Sequence, residues 1–196
     1  SISSDDVGNK NDRIMKGIVF TEFIEMVENV FSPEVADQII NEAALDSDGA
    51  YTAVGTYDHN EILAMVTQLS KVTSMPAGDL VQTFGKHLLQ RFTELYPVFF
   101  NEVDDTFTFL DTIENHVHIE VLKLYPDAEL PSFTIEHVDD KTLFMTYKSS
   151  RPFAMLAQGL IKGAAEHFNE QILIEMVDLS NGEGNHARFE LKKEKG

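Results

Sequence analysis

The stretch 131–151, PSFTIEHVDDKTLFMTYKSSR, decides the fold, because here the spacing of apolar residues changes from the helical period to a period of two. Phe133, Ile135 and His137 alternate with polar neighbours, Asp139-Asp140 marks a turn, and Leu143, Met145 and Tyr147 resume the alternation. That pattern predicts a β-hairpin. C-terminal to it, Phe153, Leu156, Leu160, Ala164 and Phe168 return to helical spacing. Ile172, Ile174 and Met176, the turn SNGEGN and Ala187 to Leu191 then predict a second hairpin. N-terminal to it the period is helical almost throughout. Phe20, Phe23, Ile24, Val27 and Phe31 mark a first helix, and Ser32-Pro33 supplies the cap and first position of a second, to about Leu45, with Val35, Ile39 and Ile40 inward. A loop runs through Tyr57. Asp58 and Glu61 form an Asp-headed capping box for a third helix carrying Ile62, Leu63, Val66 and Leu69. A fourth opens at Pro76, carries Leu80, Phe84, Leu88, Phe92 and Leu95, and stops at Pro97. A fifth runs from about Thr106 to Leu124 with Phe107, Leu110, Ile113, Val117, Val121 and Leu124 in period. The expected fold is α+β: a helical N-terminal subdomain packed on a C-terminal one with a four-stranded antiparallel sheet and helices.

The chain has 196 residues, 43% of them apolar including 14 Phe, enough for one core, so a single domain over 15–196 is expected. Residues 1–14 carry almost nothing to bury and read as a disordered leader or a cloning remnant ahead of Met15. A formal charge of -18 repels phosphate backbones and anionic lipid surfaces, which argues against nucleic acid and membrane partners. No apolar run approaches the ~18 residues a bilayer span requires, and a cytoplasmic location is expected. With no cysteine, disulfides, thiolate ligation and Cys-based zinc sites are excluded, leaving His and carboxylates as strong metal ligands.

His116 and His118, flanked by Glu114 and Glu120, would share one face if they lay on a strand. On a helix, residues two apart are separated by about 200° around the axis and cannot converge on one metal. Glu114 lies one turn before His118, so a weak metal pair remains open. By local chemistry alone the favoured reading of His118 is a core histidine satisfied by one hydrogen bond, or a surface residue at the edge of the apolar stripe, rather than a ligand. In Y-K-S-S-R, strand alternation would align Tyr147, Ser149 and Arg151. An Arg fork with two hydroxyls suits a pair of carboxylates, although a strand end with ordinary turn contacts would read the same way. No Ser–His–acid order, GxSxG elbow or phosphate-binding Gly loop is present, and nothing in the residues argues for an enzyme.

Three segments carry a family resemblance: the start MKGIVFTEF, the segment HIEVLKLYPDAELPSF and the signature YKSSR. From Met15 to about Lys193 the chain resembles the H-NOX family, the haem nitric oxide/oxygen binding domains of bacterial gas sensors and soluble guanylate cyclase. The resemblance implies haem b (iron protoporphyrin IX), with His118 as proximal iron ligand, aligned by Tyr125-Pro126, and no such role for His116. It implies that Tyr147, Ser149 and Arg151 hold the haem propionates, and that Pro131 and Ile18 contact the porphyrin and keep it distorted. The haem would be buried between the two subdomains.

Oxygen-binding members of the family carry a Tyr where this chain has Leu156, and a Trp where it has Phe23. With Leu88, Phe92 and Leu160 these imply an apolar distal pocket that takes nitric oxide and carbon monoxide and gives oxygen no hydrogen bond. In the family mechanism nitric oxide breaks the bond between iron and the proximal His, strain held at Pro131 relaxes, and the subdomains shift. The readout implied is a histidine kinase or a diguanylate cyclase or phosphodiesterase, steered by the acidic surface. An oxygen-binding or redox haem protein is the competing reading, and a haem-free helical interaction module a third.

Overall fold

The computed structural model describes residues 14–194. They form two compact units whose boundary falls between Ala77 and Gly78. The leader expected over 1–14 lies outside the described residues except for Ile14, which opens strand β1 (Ile14–Lys16) and pairs with Asp58.

In the first unit β1 leads into α1 (Gly17–Val30), followed by α2 (Pro33–Glu42), β2 (Thr56–Asp58) and α3 (Asn60–Thr73). α1 packs on α2 and α2 on α3. The three- and four-residue spacing of α1 buries Phe20, Phe23, Met26 and Val27 completely, and full burial of such a side chain is worth about 2 kcal/mol. Ser32 caps α2 as expected, its Oγ accepting the Val35 N–H at 3.1 Å with Pro33 at the first position. In α2 the buried residues are Ala36 and Ile39, while Val35 and Ile40 are half-buried.

Two local expectations fail here. The loop through Tyr57 ends in β2, which pairs antiparallel with β1. A three-residue strand is too short to show a period, so its pairing was invisible in sequence. The capping box at Asp58 and Glu61 does not form. Asp58 Oδ1 accepts the Asn60 N–H at 2.9 Å. Glu61 Oε1 instead accepts from the Ser47 hydroxyl at 2.6 Å and the Tyr51 hydroxyl at 3.2 Å, pinning the preceding loop. A carboxylate takes the better set of donors, and two hydroxyls from the loop outcompete one exposed N–H.

The second unit opens with α4 (Ala77–Leu95), whose first residue lies at the boundary, and a 3-10 turn (Pro97–Phe99). Then come α5 (Thr106–Asp111), a π-helical turn (Ile113–Val117), α6 (His118–Leu124), β3 (Ser132–Asp139), β4 (Thr142–Lys148), α7 (Ala154–His167), β5 (Ile172–Asp178) and β6 (His186–Lys193). The four strands form one antiparallel sheet in the order β3-β4-β6-β5, the two expected hairpins joined along β4 and β6. Register sets Leu143 opposite Leu191, Met145 opposite Phe189 and Tyr147 opposite Ala187, and all six are buried. α7 packs against β5 and β6.

On its other side α7 crosses α4 at two glycines. A Cβ on Gly85 would lie 2.4 Å from the Leu156 carbonyl oxygen, and one on Gly159 2.2 Å from that of Gln82. Only hydrogen at these positions lets the two backbones meet. The sequence stripe on α7 is correspondingly shifted: Leu156 and Ala164 are buried as expected, but Ile161 is buried and Leu160 half-buried.

The long helix expected from Thr106 to Leu124 is three pieces. The Thr112 N–H donates to the Phe109 carbonyl, and so does its hydroxyl, at 2.6 Å. The Thr112 carbonyl then accepts from both His116 and Val117, so the ladder slips by one residue. One extra residue turns the following face by about 100°. Hence Phe107 and Leu110 are buried whereas Ile113, Val117 and Val121 are only half-buried and Leu124 is exposed.

Candidate functional site

His118 is the first residue of α6, placed directly after the π-helical turn. Its side chain retains 16% exposure, and Nδ1 stands 3.5 Å from Glu114 Oε1. Burial pushes the imidazole pKa down and the Glu114 charge acts against that, with the net shift downward. A lowered pKa favours the neutral form, the one in which an imidazole can ligate a metal. Nδ1 is the ring nitrogen that faces the carboxylate. His116 is exposed, and its ring meets Phe99 edge-on at 5.5 Å. Among the described residues no group of three or more His, Cys, Asp or Glu side chains converges on a metal position.

Tyr147 ends the buried face of β4 and is 3% exposed. β4 stops at Lys148, so Ser149 and Arg151 do not follow strand alternation but fold back in a turn. The turn is self-bonded: the Tyr147 hydroxyl donates to the Arg151 carbonyl at 3.1 Å, and the Arg151 N–H donates to Ser149 Oγ at 3.1 Å. Burial pushes the Tyr147 phenol up, which keeps it a donor. The Arg151 guanidinium is buried, donates through Nη1 to the Glu129 carbonyl at 2.5 Å, and sets Nη2 3.6 Å from the Glu129 carboxylate. This fork is already turned toward a carboxylate, the group a propionate also carries.

The hairpin joins these parts. Phe133 pairs with Tyr147 across β3 and β4, with ring centroids 5.7 Å apart. The His118 ring lies 5.9 Å from the same Phe133. Phe133 therefore touches both the imidazole of α6 and the phenol that begins the Tyr-x-Ser-x-Arg turn. Pro131, half-buried, immediately precedes β3 and lies two residues beyond the Glu129 carbonyl that Arg151 holds. Sequence reading missed Phe133, Glu129 and the final position of Glu114, because each acts through a partner distant along the chain.

Leu156 and Leu160 lie on α7 at the close crossing with Gly85 of α4, and Leu88 is buried one turn beyond that glycine. Phe92 is half-buried and begins a run of rings through Tyr96 and Phe99 to His116, with centroids 6.0, 5.8 and 5.5 Å apart. Ile18 and Phe23 belong to α1 of the first unit, where Phe23 is fully buried and Ile18 half-buried.

The chain is similar to several solved H-NOX proteins. It is 38% identical to the Fe(II) unliganded H-NOX protein from K. algicida (TM-score 0.86), over 93% of this chain and 98% of that one. With the H-NOX from Shewanella woodyi, solved bound to IWP-051 in the Fe(II)CO state, identity is 40% and the TM-score 0.77, covering 92% and 95%. With the S. oneidensis protein in the Fe(II)NO state the values are 25% and 0.84, covering 92% and 100%. Residues 16–176 match the family described as haem-NO-binding. A half-buried histidine joined by one aromatic ring to a Tyr-x-Ser-x-Arg turn thus sits in a chain that belongs to the haem-NO-binding, or H-NOX, family of gas-sensor domains.

Proposed function

We propose that this protein is a gas sensor taking nitric oxide and carbon monoxide at haem b, with His118 as the iron ligand, and that it signals to a partner without catalysing a reaction itself. The observation that carries this reading is the pair of ring contacts by which Phe133 joins His118 to Tyr147, linking an imidazole able to ligate to hydrogen-bond donors suited to propionates. The S. oneidensis and S. woodyi relatives, with NO and CO at ferrous iron, support the choice of gases.

The residues fit the group. When bound, ferrous haem supplies the open coordination position at which a diatomic gas binds. His118 offers a neutral nitrogen, Tyr147 and Ser149 offer hydroxyls, and Arg151 a buried cation. Pro131 and Ile18 are the proposed porphyrin contacts. Leu88, Phe92, Leu156, Leu160 and Phe23 bring no hydrogen-bond donor, so oxygen gains nothing from them, whereas nitric oxide needs no donor. The family match runs without a break across the boundary between the two units, which supports one working domain from Met15 onward.

Release of His118 would leave α6 as the element free to move, since none of its residues is buried. A net charge of -18 favours a partner with a basic docking face, and a histidine kinase or a cyclic di-GMP enzyme in the cytoplasm fits the family's setting. Among the described residues no helix is long and apolar enough to cross a membrane.

The test is the visible spectrum of the reduced protein, expressed with haem supply. A Soret band is expected; its absence ends the sensor reading. Added nitric oxide should give the spectrum of haem that has lost its histidine, and air should leave no persistent new species. His118→Gly should hold haem that takes up free imidazole. Unchanged ligation in that variant would assign the iron to another histidine.

A further inference from the structure

Glu114 is a carboxylate that the sensor reading leaves without a task. It lies in the π-helical turn, and its Oε1 meets two groups at once: it accepts the Phe133 N–H at 2.6 Å and stands 3.5 Å from His118 Nδ1. The first contact is an anchor. The Phe133 amide belongs to the opening of β3, fixed by pairing with Tyr147, so the carboxylate is held from a rigid element. The second contact aims that anchored charge at the ring nitrogen turned away from ligation.

A carboxylate beside Nδ1 selects the tautomer with the proton there, fixes the ring plane and makes Nε2 a stronger donor to a metal. A partner needed only to tie β3 to the turn would serve as well with a neutral amide oxygen. A neutral oxygen could also accept from Nδ1 and orient the ring, but an anion there raises the basicity of Nε2 further, so the charge is what the test must remove.

We propose that Glu114 is a positioning residue for the iron ligand: anchored on the Phe133 N–H, it orients the His118 ring and strengthens the bond between Nε2 and the haem iron. This rests on His118 being that ligand. The contact also ties α6 to β3, so a His118 that leaves the iron loses a ring position held from the sheet.

Resonance Raman spectroscopy of the reduced holoprotein tests it through the iron–histidine stretching band. Glu114→Gln keeps an acceptor for Phe133 but removes the charge. The band should move to lower frequency, and iron ligation should weaken by about tenfold, the lower end for such partners because the Glu114 side chain is 44% exposed. Glu120→Gln, on an exposed carboxylate paired with Lys123, should leave the band in place. Should the Gln variant not fold, Glu114→Asp carries the same test, since the shorter side chain withdraws the charge from Nδ1. An unmoved or raised band in the folded Gln or Asp variant overturns the role of Glu114. The two readings fail separately: a band that survives in His118→Gly defeats the ligand assignment. A band lost in His118→Gly but unmoved in Glu114→Gln defeats only the proposal.

Discussion

α7 and α6 carry the two halves of the candidate site, and they are held in opposite ways. Nine of the 14 residues of α7 are buried, against the sheet on one side and the backbone of α4 on the other. None of the seven residues of α6 is buried, and Ile119, Leu122 and Leu124 expose apolar side chains. The helix that carries Leu156 is therefore packed from both sides, while the helix that presents His118 follows a π-helical turn and meets Glu114 and Phe133 through that histidine. Packed cores resist small displacement and half-buried elements do not. On the proposed reading, the helix bearing Leu156 would stay fixed while the helix bearing His118 is the one able to move.

Gly159→Ala attacks the rigid half, and the largest loss is expected there. Its methyl would meet a backbone oxygen that has no room to retreat, and about 3 kcal/mol of unfolding free energy should disappear in urea titration. A cost below about 1 kcal/mol would show that α4 and α7 separate easily, and the contrast with α6 would fail. Arg151→Ala acts at the joint of the two halves, where it strips the Glu129 carbonyl of its charged donor. A loss of about 2 kcal/mol is expected, together with faster haem transfer to an apoglobin acceptor. Undiminished haem retention would mean that propionates are held by other groups.

Leu122→Gln probes the loose half and should change stability by less than about 0.5 kcal/mol, since Leu122 is 41% exposed. A larger cost would show that this face of α6 is covered in solution.

The architecture was largely legible in sequence because helix and strand periods are local properties. The switch to a period of two at Phe133 located the sheet, and the slip at Thr112 that broke the long helix gave no periodic signal. In the site, His118, Tyr147, Ser149 and Arg151 stood out as chemical types, but their arrangement did not. Alternation placed Ser149 and Arg151 on a strand, whereas the hydrogen bonds of Arg151 to Ser149 and Tyr147 made a turn.

By itself the amino-acid sequence determined the kinds of element, their order, the helix-borne histidine and the family signature, all of which depend on neighbours along the chain. Only the tertiary structure decided that Glu114 faces the imidazole, that Phe133 bridges His118 to Tyr147, that Glu61 pins a distant loop and that Gly85 and Gly159 let two helices touch. Each of these depends on a partner brought close by packing, and a partner's position is set by the whole fold rather than by the residues beside it.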